Sequence, residues 1–296
     1  MHPKKIGFID HYIDEWHANH YPEWIRETGR GFEVAYAWEA TSRGKDLQSW
    51  CREQGVTPAA SIHEVVGQSD CLIVLAPDNP ERHEALADLA LRSGKPVYID
   101  KPFAPTRAAA ERMIHLAAAH NTPLISSSAL RFGPALEEAL AGRRIRSAVS
   151  RGGGTFALYA IHQLEMIVMA LGTGASRVMQ CGSGDVPTLV IDYPDERRAV
   201  LQIIAGHPFT LHLHDDKGEG IAVERNDNFF AATMEAILTF FETGRIIVPH
   251  AETLEIAALL EAGNRALEEP DRWFPLPGDA PGLPLGKGEV PAGCAS

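Results

Sequence analysis

Cysteine is scarce in this chain: the 296 residues contain four, at positions 51, 71, 181 and 294. None has C-x-x-C spacing, so neither a disulfide framework nor a thiolate metal site is indicated. Cys71 falls in an apolar run, where a reduced and buried thiol is ordinary. An excess of basic charge is also missing. The formal net charge of −12 opposes nucleic acid or an anionic membrane as partner, and the one basic cluster, Arg143, Arg144 and Arg146, reads as a solvated domain edge. Long hydrophobic runs are lacking too. The stretch CLIVLAP at 71–77 is far shorter than the ~20 residues of a membrane-spanning helix. The start, MHPKKIGFID, runs from two lysines into a strand without the apolar segment of a secretory leader, which makes the cytoplasm the expected compartment. Internal repeats and low-complexity tracts are absent as well.

What is present is an ordinary globular composition, 45% hydrophobic and 22% charged, in a chain long enough for two cores. Residues 4–9 and 32–38 read as strands, with a helix around 18–29 ended by Gly29. The stretch 46–56 has helical spacing closed by Gly55, SIHEVVGQ is a short helix, and CLIVLA is a fully buried strand. Two amphipathic helices follow, each leading through a proline into a short strand, VYI and LIS. Strands alternating with helices imply a doubly wound parallel sheet of α/β type over residues 1–126. Beyond that the order changes. After TFALYAIHQLEMIVMALG, which reads as a helix, five strand-like runs are joined by short turns. Residues 127–269 are therefore expected to form an α+β domain with an open, mainly antiparallel sheet, closed by helices at 227–243 and 250–268. The Pro- and Gly-rich stretch 270–296 has no apolar period and is expected to be extended.

The chemistry-bearing stretch is VYIDKP at 97–102. In an open parallel sheet the ligand crevice lies beyond the carboxyl ends of the strands, and Lys101 falls at such an end, where Pro102 stops the ladder. Read from its residues alone, Lys101 is either a cleft lysine able to act in proton transfer or to polarise a carbonyl, or a surface lysine at a turn. His162 has the same two faces: an acid–base group, or a core histidine on an apolar helix. The segment 10–20 (DHYIDEWHANH) is dense in His, Asp and Glu. Those residues suit a divalent ion, but carboxylates in a first helical turn are equally favoured by the helix dipole, and no metal is assigned. His212 and His214 share one face of a strand and read as solvated.

Residues 76–106 resemble the Gfo/Idh/MocA family of sugar oxidoreductases. The family's strand-ending turn, helix with an early histidine, and strand ending in Glu-Lys-Pro have counterparts in Pro77 to Asn79, His83 and Asp100-Lys101-Pro102, with Asp100 in place of glutamate. The resemblance extends over roughly residues 4–268. It implies a Rossmann-like domain, an NAD cofactor and a sugar or polyol substrate; the open sheet face adds the expectation of a homo-oligomer joined through it. By the same resemblance, His162 is the histidine that takes the proton of the sugar hydroxyl, with Lys101 beside it and Tyr159 next to it. Ser128 and Arg131 lie at the crossing into the second domain, where they line the sugar site or form a polar linker. The family's catalytic aspartate would fall at Leu158; Glu165, one turn beyond His162, is the candidate replacement.

The chain departs from the pattern at the cofactor loop, where the G-x-G-x-x-G positions 10, 12 and 15 hold Asp10, Tyr12 and Glu15. With His11 these would face the dinucleotide, and the Asp10 carboxylate is expected close to its pyrophosphate. Glu39 follows the second strand, where an acid binds ribose hydroxyls and disfavours NADP. Three functions stay open: an NAD-dependent sugar or polyol dehydrogenase, a family member that has lost the dinucleotide and acts as a non-redox isomerase or lyase with or without a metal, and a non-catalytic binding subunit.

Overall fold

A computed structural model of the chain describes residues 2–182 and 186–278; Cys294 and most of the expected tail lie outside the described residues. The first half runs β1 (Lys4–Asp10), α1 (Trp16–Glu27), β2 (Phe32–Glu39), α2 (Leu47–Gln54), β3 (Thr57–Pro58), α3 (Ile62–Gln68), β4 (Cys71–Val74), α4 (His83–Leu91), β5 (Val97–Ile99), α5 (Arg107–Ala119) and β6 (Leu124–Ile125). These strands form one six-stranded sheet in the order β3-β2-β1-β4-β5-β6, parallel throughout. Strand order reverses between β1 and β4, which opens the crevice beyond their carboxyl ends.

Period-2 alternation explains why both faces of this sheet are dry. Ile6, Phe8, Ile73 and Leu75 enter one core with Tyr21 and Ile25 of α1. Ile9, Leu72, Val74, Val97 and Ile99 enter the other, with Leu86, Leu91 and Met113 of α4 and α5. Helix α1 begins two residues earlier than the expected 18, because Glu15 caps it; Gly29, with φ +65°, follows its end. Helix α2 shows the same logic, Asp46 accepting from Ser49 N at 2.8 Å and Gly55 closing it in the left-handed region.

The second half continues with α6 (Pro134–Leu140), β7 (Ile145–Gly152), α7 (Phe156–Leu171), β8 (Arg177–Cys181), β9 (Thr188–Asp192), β10 (Arg198–Ile203), β11 (Thr210–Asp215), β12 (Gly220–Val223), α8 (Phe229–Thr243), α9 (His250–Glu268) and β13 (Trp273–Pro275). A seven-stranded sheet in the order β12-β11-β7-β10-β9-β8-β13 results. It is antiparallel except where β10 lies parallel to β7. Helices α7 and α9 cover one face, packing Leu164, Ile167 and Leu259 on Ala199, Leu201 and Leu211. The opposite face carries Val200 and Gln202, the exposed Arg151 and His214, and His212, whose Nε2 lies 3.4 Å from Glu224.

Two features of the packing could not be anticipated from the sequence pattern. Helix α8, which follows the second sheet in the chain, sets Met234, Ile237 and Phe240 into the core of the first. And the expected extended tail is ordered at its start: Trp273–Pro275 pairs with β8 because Phe274 has an apolar core to enter.

Candidate active site

Beyond the ends of β1, β4 and β5 lies a cavity of about 580 Å³, walled on one side by the β1–α1 loop and α1, and on the other by α7 and the start of α8. Its floor is aromatic and polar. Tyr21 and Tyr98 share a hydrogen bond, and the Tyr98 hydroxyl donates to the Ser127 carbonyl at 3.0 Å. Burial holds both phenols neutral, so they brace the site rather than titrate.

Lys101 lines the cavity from the end of β5, and His162 lines it from α7. The triple glycine before α7 is needed for the turn that aims this helix: Gly154 has φ +86°, and a Cβ there would collide with the Tyr159 ring. Ser128, fully buried, places its Oγ 2.8 Å from His162 Nδ1 and also accepts from Leu130 N at 3.2 Å. That leaves His162 Nε2 for the cavity. Burial, then the charges of Lys101 and His17, push the His162 pKa down to about 3, so its imidazole is neutral at any ordinary pH.

His17, read from the sequence only as a metal candidate paired with His20, lines the same cavity as Lys101 and His162. It lies in the first turn of α1, with Nδ1 3.0 Å from Glu15 Oε2 and 3.8 Å from Asp100 Oδ2. Burial works against its charge, but the Asp100 charge and the hydrogen bond and charge of Glu15 outweigh it, and the His17 pKa is raised. Two imidazoles on one cavity are thereby driven in opposite directions. The sequence signal was the His-rich run 10–20; only its fold toward Asp100 distinguishes His17 from His11 and His20. His20 turns away, its Nδ1 2.6 Å from the Trp16 carbonyl, and among the described residues no group of His, Cys, Asp or Glu is arranged to hold a metal ion.

Several expected site residues lie elsewhere. Glu165 does not replace the missing aspartate: it is 2% exposed, ion-paired with Arg131, and accepts from Ser128 N at 3.3 Å. Arg131, expected to touch substrate, is 6% exposed and also bridges Glu252 at 2.5 Å. The buried Arg131–Glu165 pair, extended by the half-buried Glu252, holds the Ser128 backbone and stands behind the site. Leu158 does line the cavity, as do Tyr159, 43% exposed, and Trp16, 45% exposed.

The residues expected at the cofactor take different places. Pro77 and Tyr12 line the cavity. The Asn79 side-chain amide donates to the Glu81 carboxylate at 3.1 Å. His83 is fully buried against the Phe103 carbonyl, 3.0 Å from its Nδ1, too deep to meet a nucleotide. Asp100 lines the floor of the cavity but is 1% exposed. Asp10 is fully buried beneath the loop, and burial together with Glu15 raises its pKa well above the ordinary carboxyl range. Its expected place beside a pyrophosphate is therefore corrected: it is an inward acid.

The loop amides decide whether a dinucleotide fits. His11 N donates to Asp10 Oδ1 at 2.6 Å, Ile13 N to Glu39 Oε2 at 2.9 Å, His17 N to Glu15 Oε2 at 2.8 Å, and Ala18 N to Glu15 Oε1. The second Glu39 oxygen accepts from Leu47 N at 3.0 Å, so that carboxylate braces two loops rather than waiting for a ribose. Tyr12 fills the second fingerprint position, its ring under the Arg43 guanidinium at 4.9 Å and its hydroxyl donating to Asp78 at 3.2 Å. As arranged, these residues do not fit a pyrophosphate. The buried thiols add nothing: burial pushes Cys51 and Cys71 up to about 12.

Residues 13–127 match the family described as "Oxidoreductase family, NAD-binding Rossmann fold". A Schizosaccharomyces pombe protein described as an uncharacterized oxidoreductase is 28% identical over 113 residues, 38% of this chain and 30% of that protein; the match thus spans under a third of that relative. Myo-inositol 2-dehydrogenase from Lactobacillus plantarum superposes with a TM-score of 0.77 at 13% identity, covering 93% of this chain and all of that one. Scyllo-inositol dehydrogenase from Lactobacillus casei, solved with NAD(H) and scyllo-inositol, gives 0.78 at 16% identity over 92% and 99%. At such identities the likeness shows the fold: a parallel Rossmann-like domain followed by a mostly antiparallel sheet domain. No helix among the described residues is long and apolar enough to cross a membrane.

Proposed function

With the Gfo/Idh/MocA kinship of residues 13–127 as premise, we propose that this chain is an oxidoreductase-family enzyme that acts at a carbinol carbon of a small sugar or polyol held in the 580 Å³ cavity. The observation that carries the proposal is the convergence of Lys101, His17 and His162 on this one cavity, with His162 Nδ1 held 2.8 Å from Ser128 Oγ and His17 Nδ1 3.0 Å from Glu15 Oε2. In this reading the neutral His162 accepts the substrate hydroxyl proton through Nε2, and Ser128 holds the ring by Nδ1. Lys101, an ammonium at the strand end, stabilises the alkoxide that develops. When the reaction runs the other way the same proton returns from His162, while His17, favoured in its charged form beside Asp100 and Glu15, donates a hydrogen bond to a neighbouring substrate oxygen. Trp16 and Tyr159 offer exposed aromatic faces to the C–H side of a polyol ring.

Support for a cyclic polyol comes from the inositol dehydrogenases that share the fold. NAD as hydride acceptor is favoured by the family match and by the neighbour that holds NAD(H); the loop amides, already bonded to the chain's own carboxylates, oppose its ordinary seat. The uncovered face of the second sheet belongs to the same proposal as the surface for a second copy, and sedimentation of the purified protein measures that.

The test is a panel of inositols and aldoses, each followed by absorbance at the reduced-nicotinamide band with NAD⁺ or NADP⁺, and by C–H exchange in D₂O without nucleotide. Consumption or exchange of one polyol, lost in Lys101→Met and His162→Ala, is the expected outcome. Reaction unaffected by either variant, or no reaction with any polyol, sinks the proposal.

A further inference from the structure

In the Rossmann arrangement the first turn after β1 gives its backbone N–H groups, together with the positive end of the following helix, to the phosphates of a dinucleotide. Four N–H groups of this turn and of the start of α1 are taken here by the chain's own carboxyl groups. Asp10 takes the amide of His11, Glu39 that of Ile13, and Glu15 those of His17 and Ala18. Glu15 is the N-cap of α1, with φ −134° and ψ 170°, so its carboxylate sits on the helix axis end where a phosphate oxygen would. His17 adds a side-chain contact to the same oxygen, 3.0 Å away.

We propose that Asp10, Glu15 and Glu39 form an internal carboxyl set that stands in for the pyrophosphate, with Glu15 as the group a dinucleotide must displace. The proposal deepens the functional reading above, on which it rests for the identity of the fold. Three arguments point to Glu15. It alone of the three holds the amides of the helix end, where the dipole attracts an anion most. It is 7% exposed and lines the cavity, whereas Asp10 is fully buried and Glu39 also braces Leu47. And its removal frees two adjacent N–H groups at once. An entering pyrophosphate would meet a carboxylate already seated and a Tyr12–Arg43 contact across the mouth; a nicotinamide dinucleotide is therefore bound weakly by the unaltered chain.

The experiment titrates the full-length protein with inorganic pyrophosphate and with NADH, followed by calorimetry and by nicotinamide fluorescence, in the unaltered chain, Glu15→Gly and Glu15→Gln. Glycine removes the side chain; glutamine keeps its bulk and an acceptor but not its charge, and far-UV circular dichroism with a thermal melt confirms which variants fold. We expect the unaltered chain to bind NADH only in the millimolar range, Glu15→Gly to bind both probes at least ~10-fold more tightly, and Glu15→Gln to fall between. Micromolar NADH binding by the unaltered chain, unchanged in Glu15→Gly, overturns the proposal. So does a folded Glu15→Gly that binds neither probe, because the loop is then no latent phosphate seat. Neither result touches the acid–base reading, whose test is reaction of a polyol and its loss in Lys101→Met.

Discussion

Two loops leave the same sheet toward the same cavity and treat their polar groups in opposite ways. After β1 the amides turn to internal carboxyl groups: Asp10 and Glu15, with Glu39 from the end of β2, together accept from His11, Ile13, His17 and Ala18. The loop after β5 keeps its chemistry outward, with Lys101 lining the cavity above Asp100. A crevice at the carboxyl ends of parallel strands is set by topology, but what it can bind depends on which polar groups the loops leave unspent. One of these loops presents a side chain to the cavity; the other is met by internal carboxyl groups at four amides.

The largest effect that would sharpen this contrast is on the support behind the outward loop. Arg131→Met leaves Glu165 and Glu252 without their shared cation, and breaking a buried pair in this way costs about 3–5 kcal/mol. The midpoint of urea unfolding measures it. An unchanged midpoint would mean that the triad is solvated and does not anchor Ser128.

Next come the groups facing the cavity. Lys101→Met and His162→Ala are each expected to lower turnover at least ~100-fold with the fold intact, as for groups that act on a transferring proton. Steady-state kinetics on the polyol found to react decides this. Full turnover by either variant removes that residue from the mechanism.

Ser128 is a positioning residue, acting through the His162 Nδ1 contact of 2.8 Å. Ser128→Ala is expected to lower turnover ~10-fold, the scale of one lost hydrogen bond of about 1.4 kcal/mol. The loss should fall on kcat with KM for the polyol little changed, and Ser128→Thr should restore kcat. A loss of stability with kcat unmoved would assign Ser128 a structural role only.

The smallest effect concerns the inward loop. Asp10 has its pKa raised above the ordinary 3.8 by burial and by Glu15, so the folded state holds its proton more firmly than the unfolded state. Linkage then has one sign: the stability this proton contributes is present below pH 3.8 and is lost as pH rises through the folded-state value. Asp10→Asn, which keeps an acceptor for His11 N, should therefore gain on the unaltered chain as the pH is raised from 4 to 8. Denaturation curves at several pH values measure the difference. A pH-independent difference would show that Asp10 is ionised in the fold, and the inward acid would be lost from the comparison.

Much of this architecture was legible before any fold. The apolar runs around Phe8, Ile73 and Ile99, spaced by helical segments, state a parallel sheet because only crossover helices can join such strands. The short turns between the runs after 177 state an antiparallel one. The motif around Asp100-Lys101-Pro102 named the kin, and the family match over 13–127 agrees with it. What could not be read were relations across long separations. Glu165 and His162 are one helical turn apart, yet one faces Arg131 and the other the cavity, a distinction that depends on what packs around α7. Helix α8 covers a sheet that ended about a hundred residues earlier, because Met234 and Phe240 found their apolar partners there.

The sequence by itself determined the two-sheet plan, the crevice, and the delivery of Lys101 to a strand end, since these follow from periodicity, turn chemistry and strand-ending proline. Tertiary structure alone decided that Asp10 turns inward, that Glu15 occupies the end of α1, and that His17 joins His162 across the cavity. A carboxylate in a loop can answer a neighbouring amide, a distant cation or a ligand with nearly equal strength. Composition cannot rank those partners, and only the packed chain, by fixing which N–H groups lie within reach, chooses among them.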